Sequence, residues 1–317
     1  MYTFISYQLS VISYQGSQEI ASSVYCSLFT VYCSLFTVCR YSTPSLRKMT
    51  AKNSNISLSS NIAALKAGEA LNHEDLYQSD LRGLDLQGVN LRQVNLIGAN
   101  LSGTILCEAD LSGADLRKAD LRGADLSNAN LQGAFLHRAY LEKANFSGAN
   151  LEGVKLQAAR YDQDTIWPEG FTYKTSGAIG PGANLSGAHL NTANLRDADL
   201  RNANLLGAYL CGADLTGANL QNARLSGADL RLAYLTGADL RNARLNNVDL
   251  QGADLRASNF TGVEIEYLQS IAGADFTLVQ GLSGAIRAML LRRSASELDA
   301  WNSFTRRTTR QSLEVGE

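Results

Sequence analysis

Three histidines, five cysteines and a formal charge of −2 are all that this chain of 317 residues offers of the chemistry that marks most catalysts and nucleic-acid binders. His73, His137 and His189 share no metal-ligand spacing with cysteine or carboxylate, so a metal centre is not expected. With 28 basic against 30 acidic side chains, the chain is neither a polyanion nor the strongly basic protein that nucleic acid demands. Cys26, Cys33 and Cys39 crowd the first 48 residues, while Cys107 and Cys211 stand alone. That is no disulfide framework, and it points to a reducing compartment, the cytoplasm. Long apolar runs are missing too. The stretch from Val24 to Val38 falls short of the roughly 20 residues that cross a bilayer and has no basic region ahead of it, so no membrane span is expected.

What the chain has in abundance is a period of five. From Ala183 to Phe260 every fifth residue is leucine or, once, phenylalanine, and the residue two places before it is small, as in Ala183-Asn184-Leu185, Ala188-His189-Leu190 and Ala193-Asn194-Leu195. An earlier stretch from Leu76 to about Tyr161 keeps the same register. Five is neither the 3.6 of an amphipathic helix nor the 2 of a strand, so the chain must turn at regular intervals and come back to the same place. Small residue and leucine, two apart in an extended segment, point to one face, and the residue between them points to the other. The remaining two positions hold pairs such as Ser102-Gly103, Arg122-Gly123 and Asn246-Asn247, which bend the chain cheaply. Each unit is one short side and one corner. Four units close a square coil of about twenty residues, stacked on its neighbours at roughly 4.8 Å.

Runs such as Ala109-Asp110-Leu111-Ser112-Gly113-Ala114-Asp115-Leu116 resemble the pentapeptide-repeat family over residues of about 76–161 and 183–265. The resemblance implies an all-β solenoid, a right-handed quadrilateral parallel β-helix in two stacked blocks with short terminal α-helices, of a type abundant in cyanobacteria. Handedness comes from the family, because periodicity does not reveal it.

The expected organisation has six parts. Residues 1–48 carry a seven-residue repeat, Val24 to Thr30 recurring as Val31 to Thr37, and read as a non-native or disordered extension ahead of an initiator at Met49. If that extension is real, export or a lumenal location is the alternative to the cytoplasm. Residues 49–75 hold a capping helix, with Ile62 and Leu65 on one face between Ser59 and Ala70. Block one spans 76–161, a loop spans 162–182, and block two spans 183–276. Residues 277–317 bring a second capping helix over Leu282 to Arg292 and then a basic, hydroxyl-rich tail, read as a mobile solvated end.

Function is harder to extract. The inside of such a coil is filled and its outside is flat or convex, so no pocket for catalysis and no cofactor are expected. Some members of the family imitate duplex DNA and occupy DNA gyrase. Between Leu76 and Arg160, however, nine acidic side chains meet nine basic ones, which argues against a DNA-like field. The favoured reading is a non-enzymatic scaffold or interaction module for an unknown protein partner, with an end-to-end homodimer as a further possibility and an enzyme built on loop and tail as a distant one. The candidate contacts are the outward aromatics Phe135, Tyr140, Tyr209 and Tyr234, the loop residues Trp167 and Phe171, and Trp301, Arg306 and Arg307 of the tail.

Overall fold

The computed structural model describes residues 76–314. Met49, the repeats of 1–48, the expected helix over 59–70 and His73 lie outside the described residues. Within them the chain coils as the period requires. The residue before each leucine forms a parallel bridge with the residue one coil on, in four columns that begin Asp80↔Asn100, Asp85↔Ile105, Asn90↔Asp110 and Asn95↔Asp115. Four columns repeating every twenty residues make a square coil, and the backbone hydrogen bonds run along its axis, as in Leu101 N to Asp120 O (2.7 Å).

Leucine and alanine fill the interior. Leu101, Ala119, Leu121, Ala213 and Leu215 have no exposed surface, and the core is one continuous column of such pairs. At each corner the small residue's N–H returns to the leucine carbonyl three places back, as in Ala99 N to Leu96 O (3.0 Å), and the third residue of that turn has positive φ. Glycine holds this position in many corners. Asn128, Leu232 and Leu278 hold it in others, at φ near 56 to 59°, a conformation costly for a bulky side chain. The Asn or Asp before leucine supports the corner by accepting the N–H two residues on, as Asn90 Oδ1 does from Arg92 N (3.2 Å). Asparagines also bond between coils, Asn130 Nδ2 donating to Asp110 Oδ1 (3.1 Å).

The stretch expected as a loop over 162–182 is built into the solenoid. Ile166 bridges Asn145 and Ile179 bridges Arg160, so the first two columns extend into it, and a 3-10 turn spans Tyr173–Thr175. That register sets Trp167 directly after an outward residue, where other units carry leucine. Its ring stacks on buried Phe146 (5.3 Å) and on Tyr173 (5.2 Å), with Phe171 at 5.6 Å and Tyr161 edge-on at 5.6 Å. Gly180 is required beside this cluster, because a Cβ there would come within 2.6 Å of the Tyr161 ring.

The basic tail is the largest departure from expectation. Helix α1 (Gly284–Leu291), capped by the Ser283 hydroxyl, is followed by a short α2 (Ala295–Leu298), by β1 (Trp301–Asn302) paired antiparallel with β2 (Arg307–Thr308), and by α3 (Thr309–Glu314). The tail is therefore no solvated end. Buried Asn302 donates to Gly273 O (2.7 Å) and accepts from Phe304 N and Thr305 N, Thr309 Oγ1 donates to Ile271 O (2.9 Å), and Ser312 Oγ accepts from Phe276 N (3.0 Å). These polar side chains satisfy backbone groups that the last coil leaves without a further coil to pair with. Sequence composition hides this, because the residues that make the cap are the same hydroxyls and amide that suggest a solvated segment. Asn302→Ala is expected to cost about 1–3 kcal/mol by removing the partner of three backbone groups, the buried Gly273 carbonyl among them, read as a lower melting temperature and faster amide exchange confined to residues 271–314.

Candidate functional site: a groove under the C-terminal hairpin

The sides of the coil are electrically quiet. Where an arginine stands two residues on, it grips the bridging aspartate: Arg82 Nε and Nη2 reach the two oxygens of Asp80 at 2.8 and 2.7 Å, and Arg117, Arg231, Arg241 and Arg256 do the same for Asp115, Asp229, Asp239 and Asp254. Among the described residues, only Arg138 and Arg224 of the arginines from Arg82 to Arg256 lack an ion pair, and such pairs leave little net field beyond their own length. The hydrogen bond from the partner arginine holds the Asp80, Asp229 and Asp239 carboxyls below their ordinary 3.8. A depressed folded value contributes stability that is complete above the unfolded value and disappears as pH falls through the folded one. The melting temperature should accordingly be level above about pH 5 and fall below the ordinary 3.8, and Asp239→Asn should flatten that fall. An unchanged acid limb in the variant would count against the forks as its cause.

The expected contact residues are scattered. Phe135 is exposed beside His137 (6.3 Å), Tyr209 is exposed and stacked on His189 (4.8 Å), and Tyr140 lies between the guanidiniums of Arg122 and Arg160 (5.8 and 5.6 Å). Trp167 and Phe171 are half-buried in the aromatic cluster and packed on the coil. Of the remaining aromatics, Tyr234 and Trp301 are brought together at a solvent-open site. They line one cavity of about 530 Å³ between the β1–β2 hairpin and the coil, with Leu232, Gly252, Gly273 and Phe304.

The cavity follows from the corners beneath it. Gly252 and Gly273 have no side chain to raise the floor, and the hairpin backbone comes so close that a Cβ on Gly273 would lie 3.4 Å from Trp301 O. One coil below, Leu232 projects from its left-handed corner over Gly252, whose Cβ would meet Leu232 Cδ2 at 2.7 Å. Phe304 meets Tyr234 edge to face at 5.2 Å and lies over the Arg256 guanidinium at 5.8 Å. Leu232, Trp301 and Phe304 are each about 60% exposed, and Tyr234 is 38% exposed. Four large apolar side chains open to solvent on one rim form a contiguous patch. Asp254, 2% exposed, closes the floor; both its oxygens are occupied by Arg256 and one also by Thr236 Oγ1 (3.0 Å).

Leu232 escapes a search for aromatics. Its signal is present all the same: an aliphatic residue at a corner position that glycine or asparagine fills in most other units.

Among the described residues, no group of three or more histidine, cysteine, aspartate or glutamate side chains is placed to hold a metal ion, and no helix is long and apolar enough to cross a membrane.

Comparison with known sequences places the chain. The family model for pentapeptide repeats matches eight copies over segments that run from 71 to 157 and from 181 to 262, and this protein belongs to the pentapeptide-repeat family, whose members form right-handed quadrilateral β-helices. No curated protein matches the chain. Among solved structures, it is similar to the pentapeptide repeat protein Rfr23 of the cyanobacterium Cyanothece 51142, with 40% identity, 29% of this chain and 63% of that one covered, and a TM-score of 0.22. It thus spans somewhat under two thirds of that relative. It is also similar to alr5209 from Nostoc PCC 7120 (34% identity, 40% and 94% covered, TM-score 0.21). A third similar structure is HetL from Nostoc sp. PCC 7120, a pentapeptide repeat protein involved in heterocyst differentiation regulation (32% identity, 69% and 92% covered, TM-score 0.23).

Proposed function

We propose that this protein is a non-enzymatic interaction module, a rigid solenoid that holds a partner protein against its C-terminal groove. The observation that carries this reading is the patch of Leu232, Tyr234, Trp301 and Phe304, open to solvent on a frame where many aspartates are paired with arginines. Tryptophan, tyrosine and arginine are the side chains that concentrate binding energy in protein interfaces. The similar HetL is described as taking part in regulation, a task suited to a binding protein. The gyrase-directed DNA mimic is the weaker alternative, since the paired aspartates offer no continuous negative side. The test is capture from a cyanobacterial lysate with the full chain and with a Trp301→Ala, Phe304→Ala double variant. A partner retained by the first bait and lost by the second is the expected result. Absence of any specific partner overturns the reading, and inhibition of gyrase supercoiling by the purified chain would put the alternative in its place.

A further inference from the structure

We infer that the groove takes an acidic segment of a partner protein, an extended peptide that lays an aromatic or aliphatic side chain between Leu232 and Trp301 and sets carboxylates against the hairpin arginines. This inference rests on the reading of the protein as an interaction module and adds the chemistry of the partner.

Charge distribution carries it. From residue 282 to 314 six arginines face three carboxylates, a surplus found nowhere in the block from 76 to 160, where the counts are equal. Two of the six are consumed locally, Arg293 by Glu297 and Arg310 by Asp299 (2.8 Å), and Arg287 donates to Leu313 O (3.0 Å). Among the described residues, the side chains of Arg292, Arg306 and Arg307 make no ion pair. Arg306 and Arg307 belong to the same hairpin that supplies Trp301 and Phe304, and Arg307 stands opposite Asn302 across it. Unpaired positive charge is thus concentrated on the element that forms one wall of the groove. The acid on the groove floor does not repel such a ligand, because Asp254 is spent on Arg256 and Thr236.

The backbone supplies a second argument. Leu232 occupies a left-handed corner (φ 58°) where glycine would sit without strain, and its side chain is 61% exposed, so the position gives up backbone comfort without gaining core burial. What the leucine does provide is a wall for the groove.

The experiment uses the full chain and a short fluorescein-labelled peptide, Asp-Glu-Trp-Leu-Glu-Asp, followed by fluorescence anisotropy. Three controls accompany it: the same peptide with lysine in place of each acid, the same peptide with alanine in place of tryptophan and leucine, and labelled oligothymidine. Saturable binding of the acidic aromatic peptide is expected, weakened by salt and at least about tenfold weaker for both peptide controls. Arg306→Glu with Arg307→Glu should weaken it about tenfold. Leu232→Gly should weaken it about fivefold while leaving the melting temperature equal or higher, a combination that a misfolded variant cannot give. Absence of saturable binding, preference for the lysine peptide or for oligothymidine, or indifference to both variants overturns the inference. If lysate capture through Trp301 and Phe304 still succeeds in that event, the interaction module stands and only the acidic chemistry falls.

Discussion

Ala213→Leu is expected to lower the unfolding free energy by roughly 1–3 kcal/mol or more, seen as an earlier denaturation midpoint with the slope unchanged. Ala213 has no exposed surface and lies at an inward position whose neighbours along the axis, Ala193 and Ala233, are alanines as well. Leucine at the other inward position already fills the coil. Three added carbons have no empty volume to occupy, and the ladder fixes the coil above and below, Asp214 N bonding to Ala193 O and Tyr234 N to Ala213 O (both 2.9 Å). An ordinary core can spread such an insult over several elements, whereas here the square section must widen against hydrogen bonds on both sides. An unaltered midpoint would show that the inward columns hold slack space.

The second large effect belongs to Trp167. Removing its ring strips a stacking partner from Phe146, Phe171 and Tyr173 at once, and Trp167→Ala is expected to cost about 3 kcal/mol, toward the lower end for a large aromatic because the residue is only half-buried. The indole N–H is buried without a hydrogen-bond partner among the described residues. Trp167→Phe should therefore be far milder, keeping the stack and deleting the orphaned donor. Equal losses for the two variants would mean that indole volume, and not the stack, holds the seam.

These two sites mark what sequence does and does not disclose. Ala213 was readable because a period of five with a leucine two places on admits one geometry, and every unit repeats it. The 162–182 stretch is opaque because its inward residue is an aromatic, so the alanine–leucine signature vanishes while the ladder still extends to Ile166 and Ile179. The C-terminal cap was opaque for another reason. Thr309, Ser312 and Asn302 are buried because the final coil needs polar partners, and no local pattern distinguishes a hydroxyl that meets a coil edge from one that meets water. The groove itself required three-dimensional placement. Tyr234 and Trp301 are distant in sequence and meet only because the hairpin folds back across the corners at Gly252 and Gly273.

The uniform twenty-residue ladder has a kinetic consequence. Each coil contacts its immediate neighbours, so formation of one coil lays down a template for the next, and growth proceeds along the axis as a zipper whose steps close loops of nearly the same length. The seam at 162–182 interrupts that template: among the described residues neither Asn150 nor Lys155 has a bridge to the coil after it, and neither Ile166 nor Ile179 has one into the second block. Growth from either side should pause there, and opening should begin there. Hydrogen exchange pulsed during refolding would record two protection fronts, one spreading through 76–160 and one through 183–276, that merge last at the ring of Trp167.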